Sequence, residues 1–231
     1  CPSFHAQNLL NETQEQKDKR MEWFHKAKLG IFIHWGVYAV KGVSESWSFY
    51  NKYLPHDEYM KQCEGFTASK YDPKAWVELI KESGAQYTVL TTKHHDGVAL
   101  WDTKENGISV VKNTPAKRDL VTPFVNEVRK AGLRLGLYYS LPDWSHPDYP
   151  NMTRTDVRYK DDPKRWDDFC KFNFGQLKEL NTTYKPDLYW FDGDWEMSAE
   201  TWRAKEIMEL LRSTNKDVIV NSRITGYGDY A

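Results

Sequence analysis

The stretch "LGIFIHWG" (29–36) separates two architectures. It is an apolar run of strand length that ends in His34, Trp35 and Gly36. A doubly wound sheet built to hold a nucleotide carries a glycine-rich turn, G-x-G-x-x-G, after its first strand. Here the strand delivers a histidine and a tryptophan instead. In a (β/α)8 barrel the C-terminal strand ends form the rim on which active sites are built.

The same unit recurs along the chain. "DPKAWVELIKESG" (72–84) has helical spacing, with Asp72 as N-cap, Pro73 in the first turn and Gly84 as the stop. "QYTVLTTKHHDG" (86–97) reads as a strand, 117–132 as a helix, and "LRLGLYYSL" (133–141) as a strand. A helix over 164–183, the strand "PDLYWFDG" (186–193), a helix over 198–215 and the strand "DVIVNSR" (217–223) follow. Ahead of these, residues 1–13 read as a polar tail, and 14–28 as an amphipathic helix with Met21, Phe24 and Ala27 on one side. Near-continuous apolar strands alternating with helices predict a parallel sheet covered by helices. The expected fold is α/β, a (β/α)8-type TIM-like barrel. Residues 14–231 are expected to hold about its first five strands, as a partial catalytic domain that stops before the last ones. A helix-closed five-stranded sheet is the alternative.

Composition narrows the function. A net charge of −1 over 231 residues predicts neither nucleic acid nor an anionic membrane surface as partner. No run approaches the roughly 18 apolar residues of a membrane span. Cys1, Cys63 and Cys170 are too few and scattered for a disulfide framework or a zinc site, and free, partly buried thiols are expected. Cys1 as first residue fits a lipidated, exported protein and equally a cut in the sequence. Asn-X-Thr sequons stand at Asn11, Asn151 and Asn181. Ten Trp and fourteen Tyr suit a large aromatic core, and equally a carbohydrate site whose indoles cover sugar C–H faces.

All five strands end in polar or aromatic groups: His34 and Trp35; His94, His95 and Asp96; Tyr138, Tyr139, Asp143 and Trp144; Asp192, Asp194 and Trp195; Asn221 and Arg223. One such residue means little; five strands presenting them at one end predict a site at the C-terminal mouth. Adjacent strand residues point to opposite faces, which argues against His94 and His95 sharing a metal ion, so neither metal nor other cofactor is expected. No G-x-S-x-G elbow is present for acyl transfer. An aromatic pocket with histidines, an arginine and carboxylates suits glycoside hydrolysis, which needs two carboxyl groups about the scissile bond. Asp192 stands where an apolar strand stops, and Gly193 allows the turn beyond it. Asp194 and Glu196 read as loop or cap residues leading toward Ser198.

"KLGIFIHWG", "TTKHHDG", "GLYYSLPDW" and "WFDGDWE", in this order over residues 28–196, resemble the α-L-fucosidases of glycoside hydrolase family 29. The resemblance implies a barrel related to (β/α)8 and release of terminal L-fucose from glycans with retention, through a covalent glycosyl-enzyme. It implies Asp192 as nucleophile, its charge kept by donors such as Arg223 and Tyr139. His34, His94, His95, Trp47, Tyr139 and Arg223 become substrate-binding residues, joined by Trp35, Glu45 and Trp195. Other members carry Glu directly before the tryptophan that matches Trp47, whereas here Ser46 stands between it and Glu45. Phe32, on the strand face of His34, is a candidate apolar wall for the sugar's methyl group. The family's acid/base glutamate lies beyond the fifth strand and hence is expected outside this chain. Fucosylated glycans or glycoconjugates are the implied partners. The implied location is export (periplasm, cell surface or secreted), or the lysosome in a eukaryote. A metal-dependent sugar isomerase or hydrolase, or a non-catalytic fucose-binding protein, are the competing functions.

Overall fold

The structure, a computed structural model, describes residues 10–231. Five strands form a parallel sheet in chain order: β1 (Gly30–Ile33), β2 (Tyr87–Lys93), β3 (Arg134–Ser140), β4 (Leu188–Asp192) and β5 (Ile219–Val220). Helices cross between them. α1 (Gln14–Ala27) precedes β1. Between β1 and β2 lie the short α2 (Trp47–Tyr50), α3 (His56–Met60) and α4 (Gln62–Gly65), then α5 (Pro73–Glu82). α6 (Val110–Asn113) and α7 (Val121–Lys130) lead to β3, α8 (Pro163–Tyr184) to β4, and α9 (Ala204–Thr214) to β5. The α/β class and parallel sheet are those the alternation predicts.

Local chemistry sets the helix ends. Asp72 and Asp162 each accept a hydrogen bond from the backbone three residues on, and each precedes a proline suited to the first helical position. Thr13 and Gln16 form a reciprocal capping box at the start of α1. The last helix starts later than its sequence suggests. Ser198 accepts from Thr201 N–H in a separate turn, and Arg203, at φ 55°, breaks the chain before Ala204.

Strand alternation sorts the side chains into two layers. Leu90, Leu135, Leu137, Tyr139, Tyr189 and Phe191 point outward into the core shared with α5, α7, α8 and α9. Val89, Tyr138, Leu188 and Ile219 point inward and meet Met21 of α1. Phe24 of α1 packs on Tyr87, the first residue of β2, with ring centroids 5.6 Å apart. α1 thus covers the inner face near the strand starts and leaves the strand ends to polar groups. Arg20 on the same helix is buried, and it is paired with Glu12 (2.6 Å) and Asp229 (2.8 Å), so no charge is left bare.

Cys63 and Cys170 are buried free thiols, as expected, and burial pushes them up to about 12 and about 11. Cys1 lies outside the described residues, as does most of the sequence read as a tail. Asn181 is buried and donates to Leu211 O and Thr214 Oγ1, so the folded chain does not present that sequon. Among the described residues no helix is long and apolar enough to cross a membrane.

Candidate active site

Asp192 ends β4 on the inner face, opposite Ser140 of β3. Tyr138 hydroxyl donates to its Oδ2 at 2.8 Å, and Arg223 Nη1 donates to its Oδ1 at 2.6 Å. Gly193 follows at φ 84°, and a Cβ there would meet Pro142 Cδ at 2.2 Å, so both conformation and space require glycine. Burial raises the Asp192 carboxyl above its usual range, although Tyr138 and Arg223 oppose the shift. The sequence-based expectation of a carboxyl held low is therefore corrected: desolvation outweighs the two donors.

His34, His94 and His95 surround this carboxylate. The His34 and His94 rings stack at 4.9 Å, and the His94 and His95 centroids are 4.4 Å apart. His95 Nε2 lies 3.6 Å from Asp192 Oδ2. Burial lowers all three imidazoles, His94 well below its usual value and His95 to about 3. Neutral imidazoles each offer one donor and one acceptor, which suits hydroxyl groups.

The expectation that His94 and His95 diverge does not hold. The β2–β3 register shifts between Thr91 and Lys93, and β2 ends at Lys93, so both histidines lie past the strand where alternation no longer applies. Donor atoms of His94, His95 and Asp192 lie within 4.8 Å of one another, as do those of His34, Glu45 and His94. Glu45 therefore reaches the site despite Ser46, and Ser46 Oγ hydrogen-bonds His94 Nδ1.

Aromatics close the mouth. Trp47 of α2 stacks on the half-exposed Trp195 at 6.2 Å and meets His95 edge-on at 5.8 Å. The Arg223 guanidinium lies over the Trp195 ring at 5.0 Å. Phe32, exposed on the inner face, stands edge-on to Trp190 at 5.4 Å, an apolar wall beside the histidines.

Two expected site residues are elsewhere. Tyr139 points outward, its hydroxyl bonded to Asn173 (2.7 Å) and Gln176 (2.9 Å) of α8 and close to the buried Lys93 (3.0 Å). Its neighbour Tyr138 takes the place beside Asp192, because successive strand residues face opposite ways. Trp35 likewise faces away from His34; its ring stacks on Tyr71 at 5.1 Å and meets Trp76 of α5.

Other rim residues build the support. Glu196 accepts from Trp144 Nε1 (2.8 Å), Asn151 Nδ2 (2.9 Å) and Tyr149 hydroxyl, tying the loop after β4 to the loop after β3. Asp143 caps the turn at Ser145 and His146, and Asn221 brackets the Phe191 backbone with both ends of its amide. Asp96 is buried and accepts from Tyr59 hydroxyl at 2.6 Å, and burial raises it to about 6.

The family model for alpha-L-fucosidase matches residues 3–230. The chain belongs to the α-L-fucosidase family. The tissue alpha-L-fucosidase of Bos taurus is 33% identical over 220 residues, covering 87% of this chain and 46% of the bovine protein. The alpha-L-fucosidase of Branchiostoma floridae is 34% identical, covering 89% of this chain and 49% of that protein. The chain spans about half the length of the curated relatives it matches. Among solved fucosidases, isoenzyme 1 from Paenibacillus thiaminolyticus aligns with a TM-score of 0.83 at 37% identity, over 90% of this chain and 51% of that one. A GH29 enzyme from Bacteroides thetaiotaomicron, trapped as a covalent intermediate with 2-fluoro-fucosyl fluoride in a Glu-to-Gln mutant, aligns at 0.80 and 35% identity, over 92% and 50%.

Two further residues, Ser46 and Ser140, escaped sequence reasoning, and Tyr138, read there as a strand-end group, was not given the place beside Asp192. Strand parity with Asp192 carries a signal for Tyr138 and Ser140, once β3 and β4 are put in register. Ser46 carries no signal beyond its place before Trp47.

Proposed function

We propose that the chain bears the nucleophile of a retaining exo-α-L-fucosidase that removes terminal fucose from glycans or glycoconjugates. The observation that carries this reading is Asp192, a strand-end carboxylate held by Tyr138 and Arg223 and ringed by three neutral histidines. Asp192 attacks the anomeric carbon, forms a glycosyl ester, and is released by water. Arg223 and Tyr138 hold the carboxylate oriented. His34, His94, His95, Glu45 and Trp47 bind hydroxyls, Phe32 accepts the methyl group, and Trp195 covers the sugar. A second carboxyl group, from chain outside these 231 residues, protonates the leaving oxygen; Glu196 is already held by three donors. The five strands belong to a (β/α)8-type barrel formed by residues 14–231 together with further chain, and the protein is exported or lysosomal.

In the full-length protein, Asp192→Asn is expected to lower kcat by several orders of magnitude on an aryl α-L-fucoside. NMR of the first-formed anomer is expected to show α-L-fucose; an initial β anomer, or near-normal turnover by the variant, refutes the nucleophile. A second reading, a metal-dependent sugar isomerase or hydrolase, is favoured by the donor atoms that converge within 4.8 Å. It predicts loss of activity after dialysis against chelator, where the fucosidase reading predicts none. A non-catalytic fucose-binding protein predicts a calorimetric signal with fucose and no hydrolysis.

A further inference from the structure

Ser140 ends β3, fully buried, opposite Asp192. Its hydroxyl oxygen touches two groups: the Pro142 carbonyl oxygen, at 2.6 Å, and His95 Nδ1. A hydroxyl has one proton to give, and a carbonyl has none. The short contact to Pro142 O is attractive only if the Ser140 proton lies in it. The Ser140 oxygen is then the acceptor toward His95, and Nδ1 carries the hydrogen.

That assignment decides the other side of the ring. A neutral imidazole has one N–H, and burial keeps His95 neutral at ordinary pH. Nε2 is therefore a bare lone pair. It is buried without a hydrogen-bond partner, 3.6 Å from Asp192 Oδ2. Two acceptors facing one another leave room for a donor and nothing else. Pro142 itself is held in place: it packs against Gly193, and Leu141 N–H donates to Asp192 O at 2.9 Å.

We propose that Ser140 is a positioning residue whose hydrogen bond to the Pro142 carbonyl fixes His95 as the Nδ1–H tautomer, so that Nε2 accepts a hydrogen bond from the substrate hydroxyl beside the carbon that Asp192 attacks. The identity of that hydroxyl rests on the fucosidase reading; the tautomer does not. A ring or ether oxygen cannot serve, because neither has a proton to donate. The site thus selects a hydroxyl on the carbon next to the anomeric one, and rejects an analogue lacking it by leaving Nε2 unpaired.

The test is ¹⁵N NMR of the histidine-labelled full-length protein, with His95 assigned by the signal lost in His95→Gln. We expect a protonated Nδ1 and an unprotonated, pyridine-type Nε2; a proton on Nε2 overturns the proposal. Ser140→Ala is expected to mix or invert the His95 tautomers and to lower kcat/KM about tenfold or more on an aryl α-L-fucoside. On the 2-deoxy analogue the same variant should match the parent. Equal losses on both substrates would mean a merely structural role. If Ser140→Ala does not fold, the spectrum of the parent protein still decides. If the parent hydrolyses no fucoside, the fucosidase reading falls while the spectrum still tests Ser140.

Discussion

Asp192 is caught between desolvation and its donors, and burial prevails. The consequence for pH follows from the sign. In the proposed mechanism attack needs the ionised form, so activity is expected to fall as pH drops through the raised value. The acid limb of kcat/KM, which reports the free enzyme, is expected above the usual carboxylate range. Arg223→Met removes a charge that opposes the shift and should move that limb further up. A pH–rate profile of both proteins checks this; an unmoved limb would mean that Arg223 does not act on Asp192. Asp192, the histidines and Arg223 were legible because each stands where an apolar strand stops. Tyr138 was not separable from Tyr139, nor Trp35 from an inward position. Facing depends on register, and register is a property of two strands at once.

The segments after the strands do as much as the strands. The loop after β4 begins at Gly193, turns through a short 3-10 helix at Asp194–Glu196, and is pinned by the Glu196 carboxylate. Glu196→Ala leaves the buried Trp144 and Tyr149 donors, and the part-buried Asn151 amide, without their acceptor. It should cost about 1–3 kcal/mol of stability, seen as a lower Tm. Because Trp195 sits beside Glu196, KM for fucoside should rise more than kcat falls. Unchanged Tm and KM would show that the anchor is ornamental. Long elements were readable from periodicity and caps, as at Asp72 and Asp162. The short helices between β1 and β2, α2 to α4, were not, since four or five residues carry too little period. β5 is only two residues long, because Asn221 replaces backbone pairing with its side chain. The bulge in β2, which brings His94 and His95 together, also left no mark in the sequence.

Across the sheet, β1 and β5 each pair on one side among the described residues. An edge strand exposes a row of unpaired backbone groups, and closure into a barrel removes both edges. If the five strands belong to such a barrel, hydrogen exchange in the full-length protein should be as slow in Gly30–Ile33 and Ile219–Val220 as in β2 and β3. Fast exchange at both edges would argue for an open sheet. The alternation of apolar strands and helices made the α/β class readable, whereas closure depends on pairing that no single strand encodes. In the proposed mechanism, what joins the sheet to function is one carboxylate at one strand end. Incubation of the full-length protein with 2-fluoro-fucosyl fluoride, followed by peptide mass mapping, asks whether that carboxylate forms a bond to the sugar. The account predicts one fluorofucosyl adduct on the peptide containing Asp192, lost in Asp192→Asn. An adduct on another residue, or turnover of fucoside with Asp192 never labelled, would contradict it.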